Sequence, residues 1–261
     1  MPKGDVLAAR SELATASRVM VITGAGISTA SGIPDYRGPR GVWTTNPAAE
    51  RASRADAYAS DPSIREEYWQ RLLERSAHPP RPNEAHYSLA RFERTRRLSL
   101  IVTQNIDGLH LEAGTSFDRL IEVHGHVRTV RCLTCDHHQP TSFVLSQVAD
   151  GETDPHCEEA VSGVTCEGVL STTIVRFGDQ PDPLEMHHAK RGVRESDLLL
   201  CVGSTLAVVP VAMLVPSALD RDIRVIIVND APTEYDESAL CVRGDITDVL
   251  PAILDPLHES S

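Results

Sequence analysis

Aromatic residues are scarce in this chain, at 4% of 261 positions, so its core has to be built from Val, Leu, Ile and Ala. Long apolar runs are missing too. No stretch approaches the roughly 20 residues that a membrane-crossing helix needs, which excludes an α-helical anchor. The first residues, Met1-Pro2-Lys3-Gly4-Asp5, carry neither an apolar core nor a small-residue cleavage site, so no secretory signal is read there. Basic residues are the minority, 25 against 37 acidic. The resulting net charge of -12 argues against a broad nucleic-acid or anionic-membrane surface and suits basic peptides better. Internal repeats and low-complexity tracts are absent. A cytoplasmic, reducing setting is the expectation, in which the six cysteines are not paired as disulfides.

What is present reads as an α/β protein: one large domain, or a large one with a small appendage. Val19-Met20-Val21-Ile22, Leu98 to Val102, Leu198 to Val202 and Ile223 to Val228 are short, branched, apolar runs. Each is followed at once by small or polar residues, the pattern of strands buried on both faces of a parallel sheet. Between Asn46 and Arg81 the composition turns to Ala, Arg and Glu, which is helical, and Pro79-Pro80-Arg81-Pro82 ends that run. A second helical run is predicted from Glu84 to Arg94. The economical picture is a doubly wound sheet with two insertions, one helical and one bearing cysteines.

Chemistry concentrates where strands stop. Thr103-Gln104-Asn105-Ile106-Asp107-Gly108-Leu109-His110 follows a strand directly, and His124-Gly125 lies not far downstream. Ligands of parallel sheets bind beyond the carboxyl ends of strands. An imidazole with an ordinary pKa of about 6.5 can take a proton from a ribose hydroxyl, which suits His124. Asn105 both donates and accepts, so it can orient a water or a cofactor hydroxyl. Asp107 can accept from a carboxamide such as that of nicotinamide. His110 could equally cap or pack the following helix. Upstream, Gly24-x-Gly26 directly after a strand suits a phosphate-cradling turn, with the next helix offering free amides. Taken alone, the glycines fit a plain strand-to-helix connection equally well, because Thr29 stands where the usual third glycine would be. The polar continuation Ser31 to Gly38 favours the functional reading: a loop carrying Pro34, Asp35, Tyr36 and Arg37 could fold over a cofactor.

Cys132-x-x-Cys135 can place two sulfurs on one metal, and Cys157 with Cys166 makes a second pair. Four thiolates around zinc form a closed, structural site. Unliganded thiols, or His137, His138 or His156 replacing a cysteine, are the alternatives. Cys201, inside an apolar strand, reads as a core residue, and Cys241 as similar.

These motifs, in this order, resemble those of the sirtuins, the NAD-dependent protein deacylases. The resemblance extends through Phe177-Gly178-Asp179, Gly203-Ser204-Thr205-Leu206-Ala207-Val208-Val209-Pro210, Val228-Asn229 and Arg243-Gly244-Asp245, from about Val19 to Leu250. It implies a Rossmann-like domain (1–45, 83–127 and 174–261) and a small domain made of a helical module (46–82) and a zinc module (128–173). It implies NAD and Zn2+ as cofactors, and acylated lysine on proteins or peptides as substrate. His124 and Asn105 would be catalytic, His124 as the base for a ribose hydroxyl and Asn105 positioning the ribose or a water. Gly24, Ala25, Gly26, Ile27, Ser28, Ile33, Pro34, Asp35, Tyr36, Arg37 and Trp43 would hold the cofactor. So would Gln104, Asn105, Ile106, Asp107 and His124 on the nicotinamide and ribose side, and Gly203, Ser204, Thr205, Asn229, Asp230 and Ile246 on the adenosine side. Val175, Phe177, Gly178, Leu206 and Val208 would meet the substrate, whose peptide would add as a strand between Phe177-Gly178 and Leu206 to Val209. The metal ligands would be Cys132, Cys135, Cys157 and Cys166. The chain departs from the family pattern at Tyr36, at Asp179, at Ser204-Thr205 and at Ser171-Thr172-Thr173. Two rival functions stay in view: a mono-ADP-ribosyltransferase using the same pocket, and a non-catalytic NAD- or ADP-ribose-sensing module.

Overall fold

The computed structural model describes residues 3–35 and 41–255, with the side chains at 3, 43, 44, 47 and 48 set aside. Tyr36 and Arg37, and the Trp43 side chain, therefore lie outside the described residues. Among the described residues eleven strands run in chain order: β1 (Val19–Thr23), β2 (Leu98–Thr103), β3 (Leu120–Glu122), β4 (Thr129–Cys132), β5 (His138–Pro140), β6 (Ala160–Val161), β7 (Val164–Thr165), β8 (Leu170–Thr172), β9 (Leu198–Val202), β10 (Arg224–Val228) and β11 (Leu240–Val242). Six of them form one sheet in the order β11-β10-β9-β1-β2-β3, and every neighbouring pair is parallel. Numbered within that sheet, this is the 3-2-1-4-5-6 order of the doubly wound nucleotide-binding fold. The order reverses between β1 and β9, so the ligand crevice is expected above those two strands.

Strands β1 and β9 are buried at every position, which explains their continuous apolar reading. Alternate residues feed two core layers. Val19, Val21, Leu198, Leu200 and Val202 face the helices Lys3–Thr15, Glu84–Glu93 and Ile246–Leu254. Met20, Ile22, Leu199 and Cys201 face Pro183–Glu195 and Leu214–Leu219. Cys201 is thus a core residue as expected, whereas Cys241 is only half-buried on the edge strand β11. The N-terminal helix was not legible, because only Ala9 and Leu13 of it bury fully and its own periodicity is faint.

Residues 46–82 are helical, chiefly Ala55–Ser60 and Pro62–Ala77, the latter capped by Asp61, whose carboxylate accepts from Ser63 N. The proline-rich connector then gives way to Glu84–Glu93, capped by Asn83. Residues 129–172 hold the antiparallel sheet β5-β4-β8, the β6-β7 hairpin and the helix Thr141–Ala149. A third core of Trp69, Val130, Val144, Val148 and Leu170 packs the two insertions together. Arg65, itself buried, clamps them further: Nη2 and Nε donate to both oxygens of Asp154 at 2.6 and 2.8 Å. Among the described residues no helix is long and apolar enough to cross a membrane.

Candidate functional site

The turns after β1 and β9 meet backbone to backbone at the switch point. A Cβ on Gly24 would lie 2.8 Å from the Gly203 carbonyl oxygen, and one on Gly26 would lie 2.8 Å from the Gly203 Cα. Gly203 adopts φ +62, and a Cβ there would meet Ile27 N at 2.4 Å. Glycine at all three positions is the only residue that lets the turns close to this distance. Whether they cradle a phosphate or simply connect strand to helix, the two readings open from the sequence, the glycines meet a further requirement set in the tertiary structure: contact with the β9 turn. The segment that follows, Ala25–Ser31, is a 3-10 helix ended by Gly32 at φ +83, not the α-helix expected. The Ile27 side chain is buried in the core and its carbonyl accepts from Asn83 Nδ2 at 2.8 Å. Ile33 and Asp35 are half-buried and Pro34 is exposed at the edge of the described residues.

Asn105, Ser28 and Asp107 converge. Asn105 Nδ2 donates to the Gly24 carbonyl and to Ser28 Oγ, each at 3.1 Å. Ser28 Oγ donates to Asp107 Oδ2 at 2.8 Å, while Asp107 Oδ1 accepts from Leu109 N at 3.0 Å. This fixes the Asn105 amide, whose oxygen has no partner among the described residues and stays available to a hydroxyl or water. Ile106, beside them, is half-buried.

A second tier beneath this triad escaped the sequence reading. His86 Nε2 lies 3.4 Å from Ser28 Oγ, and its Nδ1 accepts from Asn83 N at 3.3 Å, which puts the ring proton on Nε2. His110 Nε2 lies 2.9 Å from Thr23 Oγ1, and the two imidazoles stack edge to face at 5.1 Å. His110 therefore packs inward rather than capping a helix. Burial pushes His86 down to about 4 and His110 down to about 3, so both rings are neutral. The signal for His86 was present in Asn83 followed three residues later by a hydrogen-bonding side chain, the spacing of a capping box.

His124 stands across from this cluster. Its Nδ1 donates to the Gln104 carbonyl at 3.0 Å, which leaves Nε2 with the lone pair a base needs. Burial lowers its pKa below the ordinary 6.5, with the bond to Gln104 acting against that. Gly125 follows at φ +70, where a Cβ would lie 2.0 Å from the Thr173 carbonyl. That close crossing brings Val175 N within 2.8 Å of the His124 carbonyl and so ties the segment leading to Phe177 and Gly178 to the His124 backbone. Gln104 Nε2 donates to Ser204 Oγ at 2.8 Å and bridges the β2 and β9 turns.

Gly203, Ser204, Asn229 and Ile246 all sit at the carboxyl edge of the sheet or at the start of the helix that follows it, with Thr205 and Asp230 exposed beside them. On the other rim, Val208 is half-buried and Gly178 is exposed. The Leu206 side chain is 1% exposed and belongs to the second core layer, so any contact it makes with a substrate is through its backbone. Phe177 is already paired as a strand would be, its N–H donating to Ser53 O at 3.1 Å and its carbonyl accepting from Ala55 N at 3.0 Å. An added strand must therefore use Gly178 on this side.

The four cysteines meet as one cluster, with all four sulfurs within 4.8 Å of one another. Cys132 Sγ to Cys166 Sγ is 3.7 Å and Cys135 Sγ to Cys157 Sγ is 3.6 Å. Tetrahedral zinc with Zn–S bonds of about 2.3 Å requires sulfurs about 3.8 Å apart, so the donor set fits. Backbone amides of Thr134 and Cys135 also point at Cys132 Sγ, at 3.4 and 3.5 Å. None of the alternative histidines belongs to the cluster.

Comparison with known proteins places this architecture. The model of the Sir2 family matches residues 24–210. NAD-dependent protein deacetylase 2 of Streptomyces coelicolor is 39% identical over 237 residues, covering 90% of this chain and 96% of the relative. The NAD-dependent protein deacetylase of Haloarcula marismortui is 40% identical over 263 residues, covering 97% and 95%. Among solved structures, one described under the mechanism and regulation of Sir2 enzymes superposes with a TM-score of 0.87 at 30% identity, covering 99% of this chain and 100% of the other. A Sir2–p53 peptide–NAD+ complex superposes with a TM-score of 0.81 at 28% identity, covering 98% of each chain.

Proposed function

This chain belongs to the Sir2 family, and from that premise we propose how its crevice carries out NAD-dependent removal of acyl groups from protein lysines. It is an NAD-dependent protein deacylase, with a four-cysteine site that fits zinc. When bound, NAD supplies the ribose carbon that receives the acyl oxygen and nicotinamide as the leaving group.

The chain's own part is positioning and proton transfer. Asn105, held by Gly24 O and Ser28 Oγ, presents its free amide oxygen to a ribose hydroxyl or a water. Asp107 keeps acceptor capacity beyond its bonds to Ser28 and Leu109, so it can receive the N–H of a carboxamide. His124 takes the proton of the ribose hydroxyl at Nε2, and the Gln104 carbonyl holds the tautomer that makes this possible. The adenosine half belongs to Gly203, Ser204, Thr205, Asn229, Asp230 and Ile246. Ser28, Ala25 and Gln104 border the diphosphate and ribose. Val175, Phe177 and Val208 wall an apolar passage for an acylated lysine, whose neutral amide enters where an ammonium is penalised by desolvation. Gly178 and the backbone from Leu206 to Val209 accept the peptide as an added strand. The observation that carries the reading is His124 Nδ1 bonded to Gln104 O beside the Asn105–Ser28–Asp107 cluster.

A cytoplasmic, reducing setting belongs to the same proposal, supported by four thiols that converge without a disulfide. Recovery of the chain in an oxidising fraction with those cysteines disulfide-bonded removes it. The enzymatic proposal is tested by mass spectrometry of products after incubation with NAD and a mixed acyl-lysine peptide library. O-acyl-ADP-ribose, free lysine and nicotinamide from the wild type but not from His124→Ala is the expected result. ADP-ribose attached to protein without O-acyl-ADP-ribose identifies a transferase instead. NAD binding with no turnover across the library identifies a sensing module.

A further inference from the structure

Arg176 is buried, with 7% of its surface exposed, and among the described residues no carboxylate pairs with its guanidinium. Among the described residues the other buried arginine, Arg65, has Asp154 as its partner. The Arg176 guanidinium meets Ser171 Oγ at a long 3.4 Å from Nη2 and lies in hydrogen-bonding reach of the Tyr68 hydroxyl, while Nε has no partner among the described residues. Leaving a charge so placed is costly unless something else stabilises it. Two aromatic faces do. The Arg176 Cζ lies 3.6 Å from the ring centroid of Tyr58 and 4.7 Å from that of Tyr68. Both tyrosines are anchored independently, Tyr58 Oη donating to Leu170 O at 2.9 Å and Tyr68 Oη bonded to Thr172 Oγ1.

The backbone around Arg176 links three parts of the molecule. Just before it, Val175 N donates to the carbonyl of His124 at 2.8 Å. Just after it, Phe177 pairs with Ser53 and Ala55 of the helical insertion. A tight turn follows, in which Asp179 N donates to Arg176 O at 2.9 Å and Arg176 N donates to Asp179 Oδ2 at 3.3 Å, with Gly178 at φ +102. The segment is thus strung from the His124 backbone to the helical insertion, and the Arg176 side chain pins its middle.

We propose that Arg176 is a positioning residue for the substrate: its guanidinium, clamped between Tyr58 and Tyr68, holds Val175–Asp179 in register with His124 so that an acyl-lysine peptide can dock on it. This rests on the assignment of Val175, Phe177 and Gly178 to the substrate groove. A planar, weakly hydrated guanidinium suits a slot between two rings, and its attraction to them grows as water is excluded. Removing it leaves no orphaned acid behind, so the fold should survive the change.

Steady-state kinetics with an acetyl-lysine peptide test the idea on Arg176→Ala, Arg176→Met, Arg176→Lys and, as a control on the groove, Phe177→Ala. Arg176→Ala and Arg176→Met should raise the peptide KM about thirtyfold, the weight of one desolvated cation–π contact, with kcat and the NAD KM within about twofold. Arg176→Lys keeps a cation over the rings and should return the peptide KM to within about threefold of wild type. Should the arginine variants lose melting temperature while the peptide KM stays put, Arg176 is a packing residue only and the proposal is overturned. A raised peptide KM in Phe177→Ala alongside unaffected arginine variants removes the clamp but keeps the groove. An unaffected Phe177→Ala removes the groove assignment itself, and the clamp with it.

Discussion

The buried imidazole pair under Ser28 gives this enzyme a built-in sensitivity to acid. His110 is fully buried against Thr23, and His86 is held neutral by accepting from the Asn83 amide. Burial pushes their pKa values down to about 3 and about 4, whereas an unfolded imidazole titrates near 6.5. The sign follows directly. Above about pH 6.5 neither state binds protons at these rings and the full stability is present; below it the unfolded chain takes up protons that the native state refuses. Stability is therefore lost progressively as the pH falls from about 6.5 towards the folded values. At pH 5, about 1.5 units below the unfolded value, each ring costs the native state about 2 kcal/mol at about 1.4 kcal/mol per unit. That is a large share of a typical stability of about 5–15 kcal/mol. Urea unfolding at pH 7 and pH 5 measures it. In His110→Gln the amide can still reach Thr23 but does not titrate, so the loss between the two pH values should shrink by about 2 kcal/mol relative to wild type. An identical loss in both proteins would show that His110 is protonated in the native state and that the neutral network is wrong.

Three further outcomes are expected. His124→Ala should lower kcat/KM by about 10²- to 10⁴-fold, the usual contribution of a positioned base, and the acidic limb of the wild-type profile should lie below pH 6.5 because burial favours the neutral ring. Gly125→Ala forces a Cβ to within 2.0 Å of the Thr173 carbonyl at φ +70, so it should cost more than about 3 kcal/mol by urea unfolding, where a small effect would mean that the crossing is loose. Metal analysis should find about one zinc per chain, with Cys135→Ser reducing that content and loosening residues 129–172 in hydrogen exchange; full protection without metal would contradict the four-thiolate site.

Much of the large sheet was readable from the chain alone, because strands buried on both faces need unbroken apolar runs, and β1, β9 and β10 are such runs. The site clusters could be located for a related reason: a parallel sheet puts function at strand ends, so polar residues directly after an apolar run announce themselves. The three-residue edge strands β3 and β11 were not legible, since an edge lies half in solvent and its sequence carries little pattern. The N-terminal helix depends on docking against Ile246–Leu254 rather than on its own periodicity.

By itself the sequence determined the sheet's core strands, the residue types that do the chemistry, the four thiols and the family resemblance, all of which depend on composition and spacing within short segments. Tertiary structure alone decided that Gly24 and Gly26 press on Gly203, that His86 reaches Ser28 and His110 reaches Thr23, that Leu206 and Ile27 turn into the core, and that Arg176 lies between two tyrosines. Those contacts join residues tens to more than a hundred positions apart. No local pattern encodes them, because it is the packing of one surface on another that sets which distant side chains share a volume.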